Sequence, residues 1–371
     1  MSFKTPERAA AAMTPDRILA IDVGAGTQDT LLWEAGQPME NNIKLILPSW
    51  TTVLARRVKH ATQVGRPILL TGNLMGGGPI VSAMKRHLRA GYPVYSTRRA
   101  ARTIRDNLDQ VRERGYTVLN EGEGPPPHDD LLTLHARDVD LDVLADALSP
   151  FDVSVPETVA VAVQDHGECL EGSNRRFRFQ LWQDFVDSGG RMMDLVYRKP
   201  PACYTRMLAV QRDAPGAMLM DTGPAALWGI LEDGRAAAHQ EGGFILVNVG
   251  NQHTLGVLLR RERILGLFEH HTVLMDGEKL QQLVEKLRAG TVTDDQVFAD
   301  HGHGAYVHPD YAPGDGFDFV AVTGPRREIA AGLGYAFAAP YGDMMLTGCF
   351  GLVAAARRLL SHGEGVEAGE G

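Results

Sequence analysis

The chain contains 371 residues, of which 44% are hydrophobic and 22% are charged. This length and composition are typical of a folded protein with two or three domains. The formal net charge of -9 argues against a general nucleic-acid-binding protein, because no basic face dominates the surface.

The sequence also indicates where the protein works. No stretch approaches the roughly 20 consecutive apolar residues that a membrane helix needs, and the N-terminal segment lacks the apolar core of a secretory signal. The three cysteines, Cys169, Cys203 and Cys349, are odd in number and far apart, which is typical of a reducing compartment. We therefore expect a cytoplasmic protein with no membrane and no nucleic acid among its partners.

Short apolar runs alternate with amphipathic stretches along the chain, which predicts an α/β protein. In the first half, the predicted elements are strands 18–23, 29–34, 42–47, 67–72, 93–96 and 158–167 and helices 49–63, 79–91 and 99–114. In the second half, they are strands 244–250, 254–264, 265–273 and 318–324 and helices 277–290, 325–333 and 348–360. Both halves open with a strand, a turn and a second strand, so the chain repeats one arrangement.

The repeat divides the chain into two lobes. Lobe I is predicted to cover 18–215 and lobe II to cover 216–360. The remaining residues, 1–17 and 361–371, are small or polar and are predicted to be disordered tails.

The first strand pair encloses the turn DVGAGTQD, in which an aspartate precedes two glycines. Gly24 and Gly26 let the backbone approach a ligand closely, and successive N–H groups of such a turn form an anion-binding concavity. Thr27 and Gln28 add polar side chains. The carboxylate of Asp22 suits a phosphate only if Mg²⁺ with its water shell lies between them. The turn predicts half of a clamp for a metal-bound polyphosphate; the alternative is a hairpin in which these residues only form the turn.

The second lobe repeats this pattern in VNVGNQHTLGV. Asn248 ends an apolar run, Gly250 and Asn251 form the turn, and His253 and Thr254 open the next run. Two such turns, one in each lobe, are expected to face each other across a cleft and to hold one phosphate chain.

These features resemble the actin, Hsp70 and sugar-kinase ATPase superfamily. Its first phosphate motif is similar to residues 21–30, its second to 247–256, and its adenosine motif to 322–331, where Gly324 and Arg326 would flank the adenosine. The resemblance covers nearly the whole chain and implies two duplicated ribonuclease-H-like lobes with a nucleotide cleft between them. It also implies ATP and Mg²⁺ as cofactors, with Mg²⁺ held through water by the aspartate of the first motif.

Two positions depart from the superfamily pattern. Asn248 stands where the second phosphate motif carries aspartate, which weakens the expectation that ATP is turned over. The adenosine motif carries Gly-Pro in place of Gly-Gly, and Pro325 suits the first position of a helix. Nucleotide binding is still expected.

Within that superfamily, the strings GTQDT, MGGG, AVAVQDHG, NVGNQHT, EHHT and GDMMLTGCFG resemble an uncharacterised family labelled "putative pyruvate formate-lyase activating enzyme". Activases of that kind hold an iron–sulfur cluster on three closely spaced cysteines and use S-adenosylmethionine. The cysteines of this chain are 34 and 146 residues apart, whereas cluster binding needs gathered thiolates. The activase reaction is therefore disfavoured.

The last buried-type strand of lobe I ends in Gln164, Asp165 and His166. In phosphotransferases of the superfamily the general base is a carboxylate at such a strand end. Asp165 is therefore the candidate base, and Gln164 is a candidate for orienting an attacking water. The alternative is a turn aspartate with a capping histidine, and Asp29 with Gln28 forms a second candidate pair.

Other polar clusters allow two interpretations. The strings EHHT and DHGHGAYVH bring together several histidines: His270, His271, His301, His303 and His308. Their spacing matches no standard zinc pattern, so capping or solvated histidines are the preferred interpretation, and anion recognition is another. The segments SNRRFRF and MGGGP are each compatible with anion binding or with a purely structural role.

Together these features predict an ATP-binding protein. Its first expected activity is ATP-dependent phosphoryl transfer to a small substrate, anionic or hydroxylated, or ATP hydrolysis. A non-catalytic nucleotide-gated sensor is the second hypothesis. An ATP-driven activator of another enzyme, with a protein partner, is the third.

Overall fold

The computed structural model describes residues 15–314 and 316–361, so nearly all of the predicted tails lies outside the described residues. The strands are β1 (Arg17–Val23), β2 (Thr27–Glu34), β3 (Ile43–Pro48), β4 (Ile68–Gly72), β5 (Val94–Ser96), β6 (Thr117–Val118), β7 (Leu132–Ala136), β8 (Val159–Val163), β9 (Met218–Met220), β10 (Phe244–Val249), β11 (His253–Arg260), β12 (Arg263–His271), β13 (Gly304–Val307), β14 (Val320–Thr323) and β15 (Ala336–Phe337). The helices are α1 (Trp50–Val64), α2 (Gly78–Arg89), α3 (Arg98–Ala101), α4 (Leu108–Glu113), α5 (Leu141–Leu148), α6 (Asn174–Asp187), α7 (Thr205–Asp213), α8 (Thr222–Ile230), α9 (Gly234–Ala237), α10 (Gly277–Arg288), α11 (Asp294–Ala299) and α12 (Thr347–Ser361). Within the described part of the chain, no helix is both long and apolar enough to cross a bilayer.

The first sheet takes its strands in the order β3-β2-β1-β8-β9. β1, β2 and β3 form an antiparallel meander, and β8 and β9 extend the sheet parallel to β1. Successive side chains of a strand point to opposite faces. Leu19 and Ile21 therefore pack on the outer face, whereas Ile18 and Ala20 join the central core. Asp22 continues the second series, so its carboxylate points towards the centre of the molecule.

The second sheet takes its strands in the order β13-β12-β11-β10-β14-β15. β10, β11 and β12 form an antiparallel meander, and β14 and β15 extend it parallel to β10. Apart from the additional edge strand β13, the order and the strand directions repeat those of the first sheet. The predicted α/β architecture of two duplicated lobes is therefore confirmed.

Two features of lobe I differ from the sequence interpretation. The parallel strands β6-β5-β4-β7 form a separate third sheet with its own core, which includes Leu54 and Ile68. The predicted helix over 99–114 is instead two short helices, α3 and α4, because Asn107 caps a new start by accepting hydrogen bonds from the N–H groups of the first turn of α4. The fifth strand of the first sheet, β9, lies just beyond the predicted boundary at residue 215.

Helices α8 and α12 pack against each other, and their apolar residues share one core with the facing sides of both large sheets. A Cβ atom on Gly351 would lie 1.9 Å from the carbonyl oxygen of Ala225, and one on Gly229 would lie 1.8 Å from that of Thr347. No real Cβ approaches backbone so closely, so only glycine permits this crossing. The two lobes are thereby joined through a common core.

Candidate functional site

One cleft with a volume of about 480 Å³ is lined by residues of both lobes. Its walls include the β1–β2 turn, the β10–β11 turn, the loops that follow β4, β8 and β14, and the N-terminal ends of α8 and α12. Eleven of the residues predicted to form the site line it: Asp22, Gly24, Thr27, Asp29, Gln164, Asp165, Asn248, Gly250, Asn251, His253 and Gly324. Among the described residues, the other four predicted positions do not line it: Gly26, Gln28, Thr254 and Arg326.

The two turns that face the cleft close in the same way. The N–H of Gly24 donates to the carbonyl of Thr27 at 2.9 Å, and the N–H of Gly250 donates to the carbonyl of His253 at 2.9 Å. None of the described residues accepts a hydrogen bond from the backbone N–H groups at the turn tips, which belong to Ala25, Gly26, Asn251 and Gln252. Unpaired N–H groups in a tight turn attract an anion, so each lobe presents one anion-binding element to the same space.

Asp22 lies at the inner end of the first turn, beside the start of α12. A Cβ on Gly348, the second residue of α12, would lie 2.0 Å from Oδ2 of Asp22, so any other residue here would displace this carboxylate. Oδ1 of Asp22 is buried and has no hydrogen-bond partner among the described residues. Burial, reinforced by the charges of Asp29 and Asp221, raises the pKa of Asp22 well above its usual value. A carboxylate in this state gains stability from a bound cation.

Asp29 is directly opposite Asp22 in the β1–β2 pair and also lines the cleft. Its Oδ1 is buried without a hydrogen-bond partner among the described residues. Burial raises the pKa of Asp29 to about 6, against the opposing effect of a hydrogen bond from Thr27. Its carboxyl group is therefore poised to exchange a proton near neutral pH.

The third predicted motif lies where β14 ends beside β10. Gly324 has a φ of 103°, and a Cβ there would lie 2.4 Å from the carbonyl oxygen of Val249. The backbone N–H of Arg326 donates to that same carbonyl at 3.0 Å. Gly324 thus brings the end of β14 against the second turn, while Arg326 contributes its backbone to this junction.

Asp165, the candidate base, is engaged by backbone donors. Its Oδ1 accepts from Gly167 N–H at 3.0 Å, and its Oδ2 accepts from the N–H groups of Arg206 and Met207 at 2.9 Å each. Burial raises its pKa to about 6, although these hydrogen bonds act in the opposite direction. Asp165 therefore caps the start of α7, as in the alternative interpretation of a turn aspartate. The neighbouring Gln164 reaches the second lobe, where its side-chain amide contacts Nδ1 of His253.

A buried ion network lies beneath this part of the cleft. Arg178 binds Glu269 through Nε at 2.7 Å and Nη2 at 2.9 Å, and its Nη1 lies 3.0 Å from Oδ2 of Asp221. Burial alone would raise the pKa of Glu269, yet the guanidinium holds it well below its usual range. Both partners are therefore charged, and they join α6 to β12.

The histidines gather differently from the sequence expectation. His271 and His303 lie in the cleft together with His166 and His253, with ring centroids 4.7 Å apart for His253 and His303 and 4.8 Å apart for His271 and His303. His270 faces away from the cleft, and its Nε2 lies 3.1 Å from Oδ2 of Asp300. The preferred interpretation of these residues as capping or solvated histidines is therefore wrong for His303, which is 1% exposed. His301 and His308 are not among the described residues that line the cleft.

The cleft also has groups that attract anions. The glycine run 76–78 lines it and leads into the N-terminus of α2, and Arg102, Arg105 and Arg175 line it as well, with Arg102 paired to Glu168. Helix N-termini and guanidinium groups both favour negatively charged ligands. Arg176, by contrast, forms ion pairs with the acidic side chains that begin α11, at the surface.

Sequence reasoning missed three contributors to the site, namely Glu269, Asp221 and the pairing role of Arg178. The string EHHT indicates Glu269, because this acidic residue precedes two histidines at a strand end. Its partner Arg178, however, is 91 residues away in the chain. The cysteines give no comparable signal. Among the described residues, no three cysteines gather into one group of metal ligands, and the thiol of Cys349 is buried 3.1 Å from the carbonyl oxygen of Asp29.

Solved structures align with most of the chain, and three of them are named by their organism or assembly. They are a Bacteroides thetaiotaomicron protein of actin-like ATPase fold and unknown function (7% identity, 92% of this chain, 98% of that chain, TM-score 0.33), the ethanolamine utilization protein EutJ of Carboxydothermus hydrogenoformans (11%, 92%, 91%, 0.31) and a PilM–PilN type IV pilus biogenesis complex (10%, 94%, 99%, 0.35). TM-scores of this size do not establish a shared fold, and the duplicated strand order of the two large sheets is independent of them. A comparison with curated proteins found no match. A family model described as "Putative pyruvate format-lyase activating enzyme (DUF1786)" matches residues 75–329.

Proposed function

The chain belongs to the family described by that model, and we propose that it binds ATP with Mg²⁺ in its cleft and acts as an ATPase or as a phosphotransferase on a small anionic substrate. One observation carries the proposal. Two turns with the same closing hydrogen bond, one from each duplicated sheet, line a single cleft and offer it unpaired N–H groups. A chain of phosphates bridges two such elements more naturally than a single anion does.

The residues present fit Mg²⁺. This ion prefers oxygen ligands and keeps several of its waters. Asp22 offers a buried oxygen without a hydrogen-bond partner among the described residues, beside two further carboxylates. Asp22 would hold the ion through water, and the turns around Gly24 and Gly250 would hold phosphates. The bound nucleotide would supply an activated terminal phosphate.

The chain's own residues would accept a proton and orient the substrate. Of the two carboxylates nominated as base, Asp29 keeps an oxygen without a partner, whereas both oxygens of Asp165 accept backbone hydrogen bonds. Within this proposal we therefore assign proton acceptance to Asp29, whose pKa of about 6 suits a general base. Asp165 positions α7, and Arg105 and Arg175, which line the cleft, would orient an anionic substrate.

A second candidate function is a nucleotide-gated sensor that binds without turnover. Asn248 favours it, because this residue lines the cleft where the resemblance expects a carboxylate. The saturated carboxylate of Asp165 favours it as well. A protein partner would then sense closure of the lobes.

The test is calorimetry with ATP and Mg²⁺, followed by measurement of phosphate release. We expect Asp22→Asn to weaken Mg²⁺-dependent binding by about tenfold or more, which corresponds to about 1.4 kcal/mol. Asp29→Asn should bind ATP and lose turnover. The matched control is Asp16→Asn, which changes an exposed residue just before β1. Binding without turnover in the wild-type chain would select the sensor, and no binding of ATP with Mg²⁺ would exclude both candidates.

A further inference from the structure

Three histidines meet at the cleft from different parts of the chain. His166 follows β8, His253 begins β11 and His303 immediately precedes β13. Each offers one ring nitrogen, and these three atoms lie within 4.8 Å of one another. We call this set the histidine triad. Small side-chain rotations would place all three nitrogen atoms about 2.1 Å from one metal ion, which is the usual distance between zinc and an imidazole nitrogen.

His303 is the least satisfied member of the triad. It is 1% exposed, and neither of its ring nitrogens makes a hydrogen bond within the described part of the chain. Its Nδ1 lies 3.5 Å from Oε2 of Glu269. A buried polar ring without partners is costly and rare. A ligand in the cleft would remove that cost.

His253 is held by a residue of the opposite lobe. The side-chain amide of Gln164 contacts Nδ1 of His253, which leaves Nε2 for another interaction. A hydrogen bond to one ring nitrogen commonly fixes the orientation of a histidine that binds metal through the other. Glu269 stands in a similar relation to His303, so two triad members have a second group beside them.

The charges around the triad favour a cation. Arg178 contributes one positive charge, and Glu269 and Asp221 contribute two negative charges to the same buried network. Imidazole rings gathered beside a net negative network suit a metal ion and not an anion.

We propose that the histidine triad binds one divalent transition-metal ion. Imidazole nitrogens suit zinc, iron, nickel and copper ions, whereas Mg²⁺ prefers oxygen, so this site is chemically distinct from that of Asp22. Three histidines are the donor set of metal sites that keep a coordination position open. Because the triad lines the cleft, that position is available to a water molecule or to an anionic group of the substrate. The site does not depend on nucleotide binding.

The first experiment uses the full wild-type chain, stripped with a chelator and titrated with Zn²⁺ in the absence of nucleotide. We expect uptake of one ion per chain by calorimetry and elemental analysis. Replacement of Zn²⁺ by Co²⁺ should give the visible absorption band of nitrogen-bound cobalt. Histidines that only pack against one another would not give this band. Substoichiometric uptake, or cobalt without that band, would overturn the proposal whatever the outcome with ATP.

The second experiment compares variants. His303→Gln and His166→Gln should each weaken Zn²⁺ binding by at least about 100-fold, and Gln164→Ala, which removes a positioning residue, by about 10- to 100-fold. His60→Gln is the matched control, because His60 is exposed on α1 and outside the cleft. Circular dichroism would show whether each variant is folded. Wild-type affinity in folded His303→Gln would overturn the proposal.

Discussion

Arg178 and Glu269 form a buried two-point ion pair between α6 and β12, with Nε 2.7 Å from Oε2 and Nη2 2.9 Å from Oε1. The guanidinium also donates to the carbonyl oxygen of Asp165 at 2.8 Å. One side chain therefore connects the strand end that carries Gln164 with the second sheet. This connection links the two walls of the cleft through one guanidinium group.

Arg178→Met should strongly destabilise the fold, because it leaves Glu269 buried without its guanidinium partner. Removing one member of a buried pair costs about 3–5 kcal/mol. Arg176→Met, two positions earlier on α6, is the matched control, because the ion pairs of Arg176 are exposed and its other contact is a stack on the ring of Phe298, so it should lose no more than about 2 kcal/mol. Urea unfolding at pH 7 measures both. Equal losses for the two variants would contradict a buried, charged pair.

Gly351→Ala should lower the thermal stability, although alanine in a helix interior normally gains about 1 kcal/mol over glycine. The sign reverses because the added Cβ would lie 1.9 Å from the carbonyl oxygen of Ala225. We expect a loss of about 1–3 kcal/mol or more from overpacking. Differential scanning calorimetry measures it. Gly234→Ala is the control, because a Cβ at Gly234 meets no atom within 4 Å; a stabilised Gly351→Ala would disprove the close helix crossing.

The sequence predicts the two turns because they obey local rules. A glycine that follows a buried strand and a polar residue permits the same backbone in both lobes, and Gly24 and Gly250 indeed make the same closing hydrogen bond. The duplicated order of strands follows from the repeat. The repeat does not predict which sheet each strand joins. β4 and β8 have the same apolar character, and only long-range packing separates the third sheet from the first.

The histidines could not be placed because their position depends on one irregularity. A β-bulge near Leu258 shifts the register between β11 and β12 by one residue, so His271 lies opposite His253. In an unshifted pair, His270 would take that place. Since neighbouring residues of a strand face opposite sides, this single residue decides which histidine enters the cleft. His303 is then added by β13, through pairing that no local pattern reveals.

Asn248→Asp should increase the dependence of ATP binding on Mg²⁺. Asn248 is the penultimate residue of β10, as Asp22 is of β1, so the variant gives both phosphate-binding turns a carboxylate at the same position. We expect about tenfold tighter binding with Mg²⁺, or about 1.4 kcal/mol, and faster phosphate release if the protein is an enzyme. Calorimetry with and without Mg²⁺ checks this. Asn251→Asp, at the tip of the same turn, is the control; the same gain there would show a nonspecific effect of charge.

The stability of the metal-free protein should depend on pH through Asp29. Its pKa is about 6 in the fold and about 3.9 in the unfolded chain, so the native state binds the proton more tightly and loses stability as the pH rises between these values. Asp29→Asn removes this loss. Urea unfolding in a chelating buffer should show the variant more stable than wild type by about 3 kcal/mol at pH 7.5 and by about 1 kcal/mol at pH 4.5. Asp16→Asn, an exposed change, should show no such gap. A gap that stays constant with pH would mean that Asp29 has an ordinary pKa, and it would then be a poor candidate for the base.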